Sequence, residues 1–139
     1  MKQAVISINS IHRCEEREED SVEFTTDGVY SFRDGTGYIC YLESEVTGLE
    51  GTETRVEIHP DAVVVDRTGS ITSRMVFRRG EKNSFQYETP FGMATLGMDT
   101  KRIRHSFNEE GGSMEIDYVL NVEHALIERN RLTLNVRVQ

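Results

Sequence analysis

Four histidines and two cysteines are the side chains of this sequence best suited to metal binding or proton transfer, and no spacing unites them. His12, His59, His105 and His124 fall on different stretches, with no HxH or HExxH pair to bring two imidazoles onto one ion. Cys14 lies among charges and Cys40 inside an alternating run; without a CxxC knuckle both read as free thiols. No GxSxG elbow marks a serine nucleophile, and a triad assembled only in space leaves no local signature. Gly111-Gly112 opens an extended run, so it reads as a hairpin turn, whereas phosphate-cradling loops lead into a helix. The sequence therefore names no catalytic residue, no metal site and no cofactor. What remains is a polar set, Arg67 with Thr54, Ser73, Tyr87 and Thr89, whose guanidinium and hydroxyls suit the carboxylate or phosphate of a small ligand.

That set converges only if the chain is a series of β-strands. Apolar and polar residues alternate in steps of two, most cleanly at Met114, Ile116, Tyr118, Leu120 and Val122, and no stretch shows helical spacing. Turn signals such as Asp34-Gly35, Gly48-Leu49-Glu50-Gly51, His59-Pro60-Asp61, Thr68-Gly69-Ser70 and Pro90-Phe91 cut the chain at nearly regular intervals. They predict strands at about Lys2 to Arg13, Ser21 to Arg33, Gly37 to Val46, Thr52 to Ile58 and Ala62 to Arg67. Further strands follow at about Ser73 to Arg78, Ser84 to Thr89, Gly92 to Phe107, Ser113 to Glu123 and Ile127 to Val138. An open meander would leave two unpaired edges, so closure is expected: an all-β, single antiparallel barrel of about ten strands, one domain over residues 1–139. A two-sheet sandwich is the structural alternative. The acidic run Glu15, Glu16, Arg17, Glu18, Glu19, Asp20 reads as a solvated bend rather than a metal loop.

Pairing the apolar faces of successive strands sorts the inward residues into layers. One layer is Leu42, Val56, Val65, Met75 and Tyr87; a second is Cys40, Ile58, Val63, Phe77 and Phe85, continued by Leu96. The third, Ser44, Thr54, Arg67, Ser73 and Thr89, is polar throughout and places Arg67 as the inner face's only charge. Two readings of it stand side by side. It is the wet mouth of a filled barrel, or it holds an anionic head group whose apolar part runs inward. On the outer face the same register sets Glu43 beside Arg55 and Tyr41 beside Glu57 as an ion-pair ladder.

Charge narrows the partners. A formal net charge of −8 and the absence of a basic, aromatic-studded stretch argue against nucleic acid and anionic membranes. The N-terminus enters a strand directly, without an apolar run suited to a signal peptide or membrane helix, so a cytoplasmic location is expected.

Several segments together carry a family resemblance: Gly37-Tyr38-Ile39-Cys40-Tyr41-Leu42-Glu43, Thr54-Arg55-Val56, Asp66-Arg67-Thr68-Gly69, Arg74-Met75-Val76-Phe77, Tyr87-Glu88-Thr89-Pro90-Phe91-Gly92 and Asp117-Tyr118. In their order and spacing the chain resembles the YwiB-like family of small bacterial proteins of unknown function. The resemblance implies a calycin-like β-barrel and brings no established activity. The short charged first bend also lacks the helical lid that fatty-acid-binding proteins place there, so a deep covered lipid cavity is not expected. The function expected is non-enzymatic binding of a small anionic or amphipathic ligand at the barrel mouth. The alternative is a protein-interaction or structural module, a homodimer using outward Val64, Val76 and Val119, with no small-molecule ligand.

Overall fold

The computed structural model describes residues 1–14, 19–122 and 126–139. Ten strands follow one another: β1 (Lys2–Cys14), β2 (Asp20–Arg33), β3 (Thr36–Leu42), β4 (Thr52–Ile58), β5 (Val63–Gly69), β6 (Thr72–Phe77), β7 (Lys82–Thr89), β8 (Gly92–Asn108), β9 (Gly111–Val122) and β10 (Leu126–Val138). Each pairs antiparallel with its neighbours in sequence, and β1 pairs with β10 to close the barrel. With closure every described strand has a partner on both sides, as the meander reading requires. The bend at residues 15–18, His124 and the bend near Ala125 lie outside the described residues.

Alternation places every second side chain inside. Ala4 and Ile6, Met114 and Ile116, and Leu134 and Val136 are buried along β1, β9 and β10, while their sequence neighbours are less enclosed. One end of the barrel is shut by Tyr30, which packs on Phe107 and donates from its hydroxyl to the Asn108 carbonyl at 2.6 Å. Burial pushes this phenol up to about 12. At Gly28 the strands on either side come so close that a Cβ would collide with the Ile6 side chain and the Cys40 carbonyl.

Two registers differ from those read in the sequence. In β3 the inward face is Ile39 and Tyr41, opposite Val56 and Thr54; Cys40 and Leu42 face outward, and Leu42 is 68% exposed. The expected places of Cys40, Leu42 and Ser44 opposite Ile58, Val56 and Thr54 are held by Gly37, Ile39 and Tyr41, a shift of three residues. The strand also ends early, at Leu42 instead of Val46. The chain turns there into a short 3₁₀ segment, Glu45–Thr47, capped by the Ser44 side chain on the Val46 N–H and terminated by Gly48 in the left-handed conformation. A shift by an odd number of residues turns every side chain of a strand to the other face. Glu43 and Tyr41 accordingly lie inside, and their places opposite Arg55 and Glu57 are taken by Cys40 and Tyr38.

The second difference is at β6 and β7, where Tyr87 pairs with Ser73 rather than Met75 and Thr89 is not opposite Ser73. This ladder holds only two residue pairs, Thr72 with Glu88 and Ser73 with Tyr87. The connecting turn is drawn to β8 instead: Gly80 N–H donates to the Thr100 carbonyl and Thr100 N–H to the Glu81 carbonyl. All other registers from β4 to β6 and from β7 to β8, including Phe85 with Leu96 across the Pro90-Phe91 turn, match those expected. Among the described residues no helix is long and apolar enough to cross a membrane.

Candidate functional site

At the end of the barrel opposite Tyr30, the inner face turns polar on two walls. On the β3 to β7 wall the ladder brings Tyr41, Thr54, Arg67, Ser73 and Tyr87 into one row. Three of these, Thr54, Arg67 and Ser73, stand side by side as expected; Tyr41 replaces Ser44 at one end and Tyr87 replaces Thr89 at the other. Thr89 is turned away from the row, with its hydroxyl accepting from Phe91 N–H and donating to the Gly92 carbonyl at the hairpin tip.

Arg67 projects inward with its side chain 19% exposed, and it has a partner that sequence reasoning missed. Glu43, its side chain only 2% exposed, lies with Oε1 4.0 Å from Arg67 Nε. The carboxylate is already well satisfied: Thr54 Oγ1 donates to Oε1 at 2.6 Å and Thr47 Oγ1 to Oε2 at 2.8 Å. Thr54 is thereby committed to Glu43 and does not line the cavity. The guanidinium is not satisfied. Its Nε–H is buried without a hydrogen-bond partner, as is the Ser73 hydroxyl beside it, and Nη1 reaches only the Met75 sulfur at 3.8 Å. A buried, unpartnered donor is costly unless something fills it. Burial, and then Glu43, pushes the Tyr41 phenol above its ordinary range.

The facing wall, β8 to β10 with β1, carries a second row that the sequence did not reveal. His12, Asn130, Tyr118 and Thr100 are successive ladder partners, and Asn130, Tyr118 and Thr100 are buried. Ser10, two residues before His12 on the same face, lies with Oγ 2.9 Å from His12 Nε2. His12 Nδ1 contacts Asn130 Oδ1 at hydrogen-bond distance and lies 3.3 Å from Glu128 Oε1. Cys14 Sγ donates to the other Glu128 oxygen at 3.8 Å, and Asp20 is the ladder partner of His12 on β2. These residues are adjacent in space only because β1 closes on β10, a contact between the ends of the chain.

Between the rows lies a cavity of about 260 Å³. Its floor is apolar, with Val56, Val65, Met75, Phe77, Met114 and Leu134, and its rim includes Ser10, His12, Glu43, Arg67 and Tyr87. The 3₁₀ segment and the turn that follows it reach the rim through Thr47 and Leu49. The barrel is thus neither solid nor wide open. Tyr118 stands edge-on to Phe77 at 5.0 Å, and burial holds its phenol up at about 12, against the opposing pull of Arg67 and with the push of Glu128. A larger depression of about 740 Å³ lies on the outer face of β8 to β10 and β1. Most of its charges lie against one another, Lys101 on Asp99 at 2.7 Å, Arg131 on Asp117 at 2.8 Å and Arg13 on Glu19, and Arg129 also lines it. Among the described residues no group of three or more His, Cys, Asp or Glu side chains is placed to hold a metal ion.

Comparison with known proteins agrees with this architecture. The family model for a domain of unknown function, DUF1934, matches residues 6–134. The uncharacterized beta-barrel protein YwiB of Bacillus subtilis (strain 168) is 29% identical over 104 residues, spanning 75% of this chain and 72% of that protein. The crystal structure of the ywiB protein from Bacillus subtilis superposes with a TM-score of 0.87 over 99% of this chain and 92% of the other, at 23% identity. That likeness establishes a shared fold.

Proposed function

Because the chain belongs to the DUF1934 family, a domain of unknown function, its activity has to be read from its own cavity, and we propose that it binds a small amphipathic ligand with an anionic head at the barrel mouth. The observation carrying this reading is the buried Arg67 Nε–H without a partner, set at the rim of an apolar cavity. A carboxylate there would satisfy Arg67 while its hydrocarbon part lies on Val65, Met75 and Phe77. Size limits the ligand. A cavity of about 260 Å³ lies just below the usual range for small-ligand sites, which suits an acyl chain of several carbons.

Glu43 makes the reading testable in two directions. It sits beside the guanidinium and repels an incoming anion, so its charge restrains affinity while its hydrogen bonds hold the rim. Octanoate binding, followed by calorimetry and native mass spectrometry, is expected to be lost in Arg67→Ala and strengthened in Glu43→Gln by roughly an order of magnitude. Octanoate that binds equally to wild type and Arg67→Ala, or to neither, would remove the proposed site.

Self-association is the competing reading. Its three outward valines are less available than the alternation suggests, since Val64 is buried and Val76 and Val119 are half-buried. Light scattering across a dilution series, with a mass that stays at one chain throughout, would dismiss it.

A further inference from the structure

The wall facing Arg67 holds an arrangement that binding alone does not use. Asn130 Nδ2 donates to the Glu128 carbonyl at 3.3 Å, which turns its Oδ1 toward His12. Nδ1 of the imidazole therefore faces two acceptors, Asn130 Oδ1 and Glu128 Oε1, and must carry the ring proton. In the neutral ring Nε2 then carries the lone pair, and the group 2.9 Å from it is the Ser10 hydroxyl. A hydroxyl, a base aimed at it and a third group that fixes the base's tautomer make up the arrangement that activates serine nucleophiles.

We propose that Ser10, His12 and Asn130 form an acyl-transfer site that hydrolyses carboxylic esters of short acyl chains, the acyl group lying in the cavity proposed above for the ligand. Ser10 Oγ attacks the ester carbonyl as its proton passes to His12 Nε2. The oxyanion would be stabilised by the Tyr118 hydroxyl and the Arg67 guanidinium, two groups whose residues line the same cavity as Ser10. Its collapse breaks the bond to the alcohol oxygen, which takes the proton from His12 and leaves. Water, deprotonated by His12, then attacks the acyl-serine; the bond to Oγ breaks, Ser10 recovers its proton, and a carboxylic acid is released. The product is the class of anion assigned to Arg67, so the inference rests on that reading for its cavity. Burial keeps the Tyr118 phenol protonated at working pH, as a donor must be. Asn130 is a positioning residue and acts through His12.

The test uses the intact chain with p-nitrophenyl butyrate, and a fluorophosphonate followed by intact mass and peptide mapping. One phosphonyl adduct on Ser10 is expected, together with ester turnover that falls by about a hundredfold or more in Ser10→Ala and His12→Gln. Asn130→Asp sets a carboxylate beside the imidazole and should move the acidic limb of the pH–rate profile upward by about one unit or more, which a merely structural role would leave in place. Wild-type turnover no faster than that of Ser10→Ala, or an adduct elsewhere, overturns the proposal; the mapping does so even if a variant fails to fold. Octanoate binding without a Ser10 adduct would end the acyl transfer and leave the binding reading intact, and a Ser10 adduct without octanoate binding would do the reverse.

Discussion

The two walls of the barrel are built differently, and the difference decides what each can do. β1, β2, β8, β9 and β10 are 12 to 17 residues long, and ladders such as β9 with β10 run without interruption from Val122 and Leu126 to Gly111 and Arg137. β3 to β7 are 6 to 8 residues long, and their wall contains the β6–β7 seam, pinned by two residue pairs next to Arg67. Exterior ion pairs do not account for the contrast, because both walls carry them: Arg74 on Asp66 and Arg131 on Asp117, each at 2.8 Å and each exposed. Ladder length does, since the long wall departs from regular pairing in its described ladders only at one bulge in β8, between Thr100 and Arg102. The long wall holds Ser10, His12 and Asn130 in fixed register, as a proton relay needs, while the short wall presents the charge of Arg67 on a surface able to give.

The largest test of that contrast is core truncation. Ile116, fully buried in the long wall, is surrounded by strands that cannot close in, so Ile116→Ala should cost about 4 to 5 kcal/mol. Phe77 is the larger side chain but borders the seam and the cavity, where β6 can relax inward; Phe77→Ala should cost only about 3 kcal/mol and admit longer carboxylates. Urea denaturation measures both, and a reversed order would show that the seam is no softer than the long wall.

Next in size is amide exchange. The amides of Met75, Val76 and Phe77 lie beyond the last β6–β7 residue pair, whereas Met114 and Ile116 are paired on both sides, clear of the β8 bulge that faces Asp117 and Tyr118. Exchange in the first group should be about a hundredfold faster, through local opening, and uniform protection around the barrel would contradict the two-wall description.

How far the sequence carried these conclusions follows from where each signal is stored. Alternation and turn chemistry are local, so the strands, the Asp34-Gly35 turn, with both residues at positive φ, and the Thr54, Arg67, Ser73 row were legible. The phase of β3 was not, because both faces carry large side chains: Ile39 and Tyr41 inside, Tyr38, Cys40 and Leu42 outside. Glu43 was lost with it, and with it the partner of Arg67. Ser10 and His12 do share a face of β1, but Asn130 and Glu128 reach them only through closure between the chain ends, which no spacing rule records. A buried asparagine opposite a histidine is visible only once β1 is laid on β10.

The smallest effect, and the finest probe of the two walls, is alkaline stability. Tyr118 sits in the long wall and Tyr41 in the short one, and both phenols are raised above their ordinary value of about 10 mainly by burial, Tyr118 to about 12. A raised acid holds its proton in the folded state after the unfolded state has released it. The stability it contributes is therefore fully present below about pH 10 and is lost as pH rises toward the folded value, by up to about 1.4 kcal/mol per unit for each phenol. Urea midpoints taken from pH 9 to 11.5 should decline in wild type, and Tyr118→Phe should flatten that decline. Tyr41→Phe should flatten it less, because a short wall that opens locally lets water reach the Tyr41 phenolate before the barrel unfolds. Equal flattening by the two variants would mean that both walls open only together, and the placing of the proposed proton relay on one and the proposed anion site on the other would lose its mechanical reason.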